Sequence, residues 1–199
     1  MKTLTRVALF ALFLLALGAP AQATPITYQA FLSGPNEFPA NASPGTGYAL
    51  VTFDDVAHTL AVSATFSGLL STTTASHIHC CVSPSAAIPT AGVATTTPSF
   101  VGFPLGVTSG TFSNVYDMTL ASTFRAGFIT ANGGTVAGAE AALGLGLANG
   151  EAYFNIHTTL FPGGEIRGFL TPVPEPATLT LLGFGLGAAA LRRRLRKTT

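Results

Sequence analysis

The 199-residue chain carries a formal charge of +1, and its lysines and most of its arginines sit at the two ends. Between residues 24 and 172, Glu37, Asp54, Asp55, Asp117, Glu140, Glu151 and Glu165 stand against Arg125 and Arg167 alone, with no lysine. Nucleic-acid binding needs a basic patch to neutralise phosphates, so this acidic stretch argues against that class of partner, and its length suits one domain with a real core.

The N-terminus reads as an export signal over residues 1–23. Lys2 and Arg6 form a positive start, residues 7–17 are uninterruptedly apolar, and Gly18 and Pro20 break the run. Ala21-Gln22-Ala23 then places small residues where a signal peptidase cuts, so the segment is expected to enter the Sec export machinery and to be removed after Ala23. Its apolar run is too short for a hydrocarbon core of about 30 Å.

Residues 24–172 read as mostly β. Residues 48–53 are rich in strand formers, and residues 59–66 alternate so that Leu60, Val62, Ala64 and Phe66 share a face. Asp54-Asp55 between them predicts a hairpin turn, with His58 solvated inside it. His77-Ile78-His79, on a strand, projects two imidazoles from one face and Ile78 from the other. Residues 83–110 are rich in Gly, Pro, Ser and Thr and long for a structureless loop, so a short edge strand is expected within them. Further strands are expected over 111–120, 152–159 and 165–170. Spacings of three and four with a closing Asn149-Gly150 predict a helix over 136–147, although Gly138, Gly144 and Gly146 interrupt it. A second short helix is expected over 122–131. The sum is an all-β, antiparallel β-sandwich with a short helical insertion.

Polar residues gather around the second half of this pattern. In 153–157, Phe154 and Ile156 face one way while Tyr153, Asn155 and His157 face the other. Pro162-Gly163-Gly164 makes a tight turn, so the strand of His157 and that of Glu165 to Arg167 are expected to be hairpin neighbours. Asn155, His157, Glu165 and Arg167 then form one patch. Three readings of the histidines are open. The preferred one is structural, with the imidazoles and a Glu165/Arg167 ion pair satisfying each other and nearby backbone on the sandwich surface. The second is a zinc or copper site on His77, His79 and His157, since neutral imidazoles suit those ions. The third is enzymatic use of such a metal. Residues for serine-type hydrolysis are not evident, because no Gly-x-Ser-x-Gly elbow occurs. Cys80 and Cys81 are the only cysteines, and export puts them in an oxidising space. A vicinal disulfide is favoured over free thiols, an intermolecular bridge or added metal ligands beside His79.

An ordered set of motifs carries a family resemblance. Phe31-Leu-Ser-Gly-Pro-Asn-Glu-Phe-Pro39, Gly45-Thr-Gly-Tyr48, Gly68-Leu69, His77-Ile-His79, Tyr153-Phe-Asn-Ile-His157 and Gly164-Glu-Ile-Arg-Gly168 make the chain resemble a CHRD (chordin-like) domain over about residues 26–172. The family often has valine where this chain has Phe38. The resemblance implies an immunoglobulin-like sandwich related to copper/zinc superoxide dismutase, with no established catalytic activity.

The C-terminus, residues 173–199, reads as a sorting tail. Pro174-Glu175-Pro176 is followed by an apolar run over 177–191 and a basic end over 192–197. In that order the three parts resemble the PEP-CTERM signal, which implies processing by a membrane-embedded exosortase. A 15-residue run makes a helix of about 22 Å at about 1.5 Å per residue, short of the roughly 30 Å hydrocarbon core. It is therefore expected to be a transmembrane helix held transiently rather than a permanent anchor, with its Arg/Lys end cytoplasmic and the domain outside. The expectation is an exported, non-enzymatic protein with no required cofactor, first at the inner membrane and then at the cell surface or outside the cell. The PEP-CTERM resemblance implies association with extracellular polysaccharide and biofilm. The alternative is a periplasmic zinc- or copper-binding protein with redox activity.

Overall fold

In the computed structural model of the chain, residues 25–174 are described, together with residues 183, 185–187 and 193. The export signal expected over 1–23, Glu175 and Pro176 of the sorting motif, and most of the apolar run over 177–191 lie outside the described residues. Among the described residues no helix is long and apolar enough to cross a membrane.

Alternation builds the first half of the sheet. In β1 (Ile26–Ser33), Tyr28, Ala30 and Leu32 point inward and are nearly fully buried. β2 (Thr46–Asp54) and β3 (Thr59–Ser67) form the expected hairpin, in unbroken antiparallel register from Thr46↔Ser67 to Asp54↔Thr59. Asp54 closes the turn, its carboxylate accepting the N–H groups of Val56 at 3.0 Å and Ala57 at 2.8 Å. β1 is a strand that alternation alone leaves ambiguous. Its Phe31 points out of the sheet, 70 % exposed and against Tyr48, so apolar residues occur on both faces.

β4 (Thr73–His79), β5 (Gly110–Asp117), β6 (Tyr153–Thr158), β7 (Ile166–Phe169) and β8 (Thr171–Pro172) complete one antiparallel sheet. Its order is β4-β6-β7-β1-β2-β3-β5, with β8 beside β1. β1 meets β7 only at Ser33↔Arg167 and then meets β8 at Tyr28 and Gln29. At that narrow junction the sheet curls, so the β4-β6-β7 half and the β2-β3-β5 half pack face to face in a sandwich-like arrangement. Phe100 lies between them, 6.0 Å from both Phe112 and Phe154. Ile78, Phe154, Ile156 and Ile166 from one half join Val51, Leu60, Val62 and Phe112 from the other in a single core.

Two short helices follow β5: α1 (Ala126–Ala131) and α2 (Val136–Ala148). The Thr135 hydroxyl caps α2 by accepting the Gly138 N–H at 3.1 Å, and Gly150 ends it with φ of +68°. The glycines that interrupt its helical pattern are contact sites: the Phe53 ring lies against Gly144, and the sulfurs of Cys80 and Cys81 lie against Gly146, where a side chain has no room.

The edge strand expected within 83–110 does not form. Only isolated bridges occur there, at Val93 and Thr95. The free edge of β4 is served mainly by hydroxyls and loop backbone instead. Thr95 Oγ1 accepts the Ile78 N–H and Ser99 Oγ the Ser76 N–H, both at 3.0 Å, while Pro98 and Pro104 have no N–H to extend a ladder.

The helix insertion closes the core rather than decorating it, and two leucines on its opposite faces test this. Leu143 is fully buried and Leu145 is 63 % exposed. Leu143→Ala is expected to cost about 2–5 kcal/mol in urea unfolding, and Leu145→Ala less than about 0.5 kcal/mol.

Candidate functional site

The antiparallel pairing of three strands builds a polar row. His77 is opposite Asn155, His79 is opposite Tyr153, and Asn155 is opposite Arg167. With period-two alternation, His77, His79, Tyr153, Asn155, His157 and Arg167 share one face, while Ile78, Phe154, Ile156 and Ile166 face the core.

This polar face is covered, not solvated. Pro89 O accepts from Arg167 Nη1 at 3.1 Å, and Asn36 O accepts from Arg167 Nε at 2.6 Å. Loop segments on three sides supply such carbonyls, so His77, Asn155, His157 and Arg167 are all buried and His79 is half-buried.

Each imidazole is held the same way. Nδ1 of His77 meets Pro98 O at 3.2 Å, Nδ1 of His79 meets Ala91 O at 2.8 Å, and Nδ1 of His157 meets Pro162 O at 2.9 Å. A carbonyl oxygen only accepts, so each ring carries its hydrogen on Nδ1. The Nε2 atoms of His77 and His157 lie 2.9 Å apart. Nε2 of His79 is buried with no hydrogen-bond partner among the described residues. One nitrogen of each ring falls within 4.8 Å of the others.

Burial favours uncharged rings. It is the main cause that pushes His77 down to about 3, helped by the neighbouring His157 and His79. Burial likewise pushes His79 down to about 4 and lowers His157. Tyr153 stacks flat on His79, with centroids 4.7 Å apart and planes 5° apart, and the Arg167 guanidinium sits 4.7 Å above the Tyr153 ring. Arg167 faces Glu37 Oε2 at 3.6 Å. Burial pushes the Glu37 carboxyl up to about 7, against the pull of Arg167. A cavity of about 300 Å³ opens on Glu37 between residues 37–41 and 160–164.

The hairpin of β6 and β7 forms as expected, but the patch differs from expectation in two respects. Arg167 pairs with Glu37 and not with Glu165. Glu165 leaves the patch altogether: its carboxylate accepts Ser43 Oγ, the Leu70 N–H and Thr158 Oγ1, each at 2.6 Å. The reason is positional. β7 begins at Ile166, so Glu165 lies in the turn, after Gly164 at φ +129°, where strand alternation does not apply. The imidazoles are also interior rather than on the sandwich surface. His58 is exposed, as expected, and from the surface it binds Glu140 of α2 at 2.9 Å, apart from the cluster. Cys80 and Cys81 are joined as a vicinal disulfide. Pro174 is the one residue of the sorting motif among the described residues.

Glu37 and Tyr153 escape the sequence pattern as site residues. Both lie inside stretches that carry the family resemblance, 31–39 and 153–157, and strand alternation also puts Tyr153 on the face of Asn155 and His157. A family model described as CHRD domain matches residues 28–170, and one described as PEP-CTERM protein-sorting motif matches residues 172–197. No curated protein and no solved structure matches.

The lowered imidazoles have a consequence for stability. His77 and His79 titrate near 6.5 when unfolded and near 3 and 4 when folded, and burial lowers His157 as well, so in that range the unfolded chain binds more protons. Their contribution is complete above about pH 6.5 and is lost as the pH falls toward 3. Glu37, raised from 4.5 to about 7, acts in the opposite sense between those values, as one group against three. Chelator-treated protein is expected to lose about 3 kcal/mol between pH 7 and pH 4, measured by urea unfolding, and His77→Gln to lose less. A second expectation concerns Glu165. Glu165→Ala strands the Ser43 and Thr158 hydroxyls in the interior and frees the Leu70 N–H at its edge, so it should cost about 3 kcal/mol while leaving the histidine resonances of the folded protein in place by NMR.

Proposed function

The chain belongs to the CHRD-domain family and ends in a PEP-CTERM sorting motif, and from that premise we propose a non-enzymatic module delivered to the cell surface or extracellular matrix. It is an exported protein sorted by exosortase-type machinery. In the proposal, Sec exports it, the Arg/Lys end stays cytoplasmic, and the folded domain faces outward until the tail is processed. Once released, it contacts extracellular polysaccharide in the biofilm.

The observation that carries this reading is where the domain ends. β8 (Thr171–Pro172) pairs with β1, and the Val173 N–H donates to Thr27 O at 2.8 Å. The sheet is therefore finished at the residue where the sorting motif starts. Thr171, Pro172 and Val173 are all exposed, so the stretch that leads into the motif lies at the surface of the domain. A domain closed in this way supports a tail that is read and discarded. The non-enzymatic part rests on Glu165, the fully buried acid, whose carboxylate is taken up by three hydrogen bonds.

Deleting residues 174–199, which keeps the Val173 N–H on Thr27 O, or replacing Pro174, Glu175 and Pro176 by alanine, is the test. In the native host, wild-type protein is expected in surface and medium fractions. The variants should be folded, with unchanged thermal unfolding, and retained in the periplasm or membrane. An unchanged distribution in both variants would overturn the sorting role.

A further inference from the structure

We propose that His77, His79 and His157 bind one divalent first-row transition-metal ion, Zn2+ or Cu2+, through their Nε2 atoms, and that Tyr153 and Arg167 position the His79 ring for it.

The donor set follows from hydrogen bonding. Every Nδ1–H is committed to a backbone carbonyl, of Pro98, Ala91 or Pro162, which leaves a lone pair on every Nε2. Carbonyl support of this kind orients metal-binding histidines and fixes their tautomer. Two such lone pairs face each other at 2.9 Å between His77 and His157. That contact is repulsive unless a positive charge lies between them. A proton bridging this pair would leave the buried Nε2 of His79 without a partner. A metal ion satisfies all three. Metal–nitrogen bonds of about 2.0–2.1 Å hold neighbouring ligands about 3.3 Å apart in a tetrahedral set. The rings, with nitrogens already within 4.8 Å of one another, need only small adjustments.

The ligand chemistry selects the ion. The cluster is all imidazole, which suits zinc and copper, whereas calcium and magnesium demand oxygen. The carboxylate of Glu37 lies outside the three-histidine group and faces Arg167 through Oε2. Among divalent ions a nitrogen set binds Cu2+ more tightly than Zn2+. The support is rigid as well: His77 and His79 lie on β4 and His157 on the paired β6. The flat stack of Tyr153 on His79, capped by Arg167, leaves that ring one orientation.

The test uses the full chain, stripped with chelator and purified in detergent. Equilibrium dialysis with Zn2+ or Cu2+ followed by elemental analysis should give one ion per chain. X-ray absorption should show imidazole nitrogen neighbours. His79→Gln and His157→Gln, checked for folding by circular dichroism, should lose more affinity than the roughly 10–100-fold expected of a change outside the ligands. Tyr153→Leu should lose roughly 10–100-fold while keeping one ion and altering the Cu2+ EPR spectrum. The proposal is overturned if neither ion binds the wild-type chain, if the absorption spectrum shows a sulfur or all-oxygen shell, or if folded His→Gln variants bind as wild type. If those variants do not fold, 15N NMR of wild-type histidines decides. Zn2+ should shift all three Nε2 resonances, and a His77–His157 imidazolium unchanged by Zn2+ refutes it.

Discussion

Strand β6 is buried on both of its faces, and the rest of the domain is arranged around that constraint. One face, Phe154 and Ile156, packs into the apolar core, as a strand in any sandwich does. The other carries Tyr153, Asn155 and His157 and is buried as well. Polar groups removed from water cost several kcal/mol unless they find partners, so this second face demands a covering that supplies hydrogen bonds. The chain meets most of the demand with backbone carbonyls from segments that have no regular structure of their own, while His79 Nε2 and Asn155 Oδ1 find no partner among the described residues.

That covering explains why the Pro- and Ser/Thr-rich stretch after β4 forms no strand. A strand would use its carbonyls in a ladder. Here the carbonyls of Pro89, Ala91 and Pro98 turn down toward Arg167, His79 and His77, while Thr95 and Ser99 hydroxyls accept from the edge of β4. Proline suits this task, since its carbonyl accepts and it has no N–H to satisfy. The same loop therefore protects the sheet edge and sets the tautomer of two histidines. Glu37 reaches Arg167 in a similar way, brought in by the turn after β1.

Burial then sets the chemistry. An uncovered row of histidines would be a solvated surface of ordinary basicity. Covered, the rings are held neutral, with their free nitrogens turned toward one another, and Arg167 faces Glu37 beside them. Glu165 shows the opposite outcome for a buried acid. Three donors surround it, so it ties the turn before β7 to Ser43, Leu70 and Thr158 and takes no part in the cluster.

Local pattern made much of this legible. Alternation and an Asp-containing turn located β2 and β3, spacing of three and four located α2, and the tight Pro-Gly-Gly turn paired β6 with β7. The i, i+2 histidines were bound to share a face because a strand repeats every two residues. The C-terminal sorting motif, too, is readable from order and composition, since sorting machinery reads short linear segments. Five matters lay beyond the sequence. The exposed Phe31 blurred the alternation of β1, and the glycines of α2 looked like breaks until Phe53 and the disulfide were seen against them. The ion partner of Arg167 depended on a turn far away in the chain, and Glu165 escaped the strand rule by lying just before its strand. Above all, whether the histidine face met water or a loop was decided by tertiary structure alone. Periodicity says which side chains point the same way, but which segment of chain lies over them is a long-range packing outcome that no local pattern encodes.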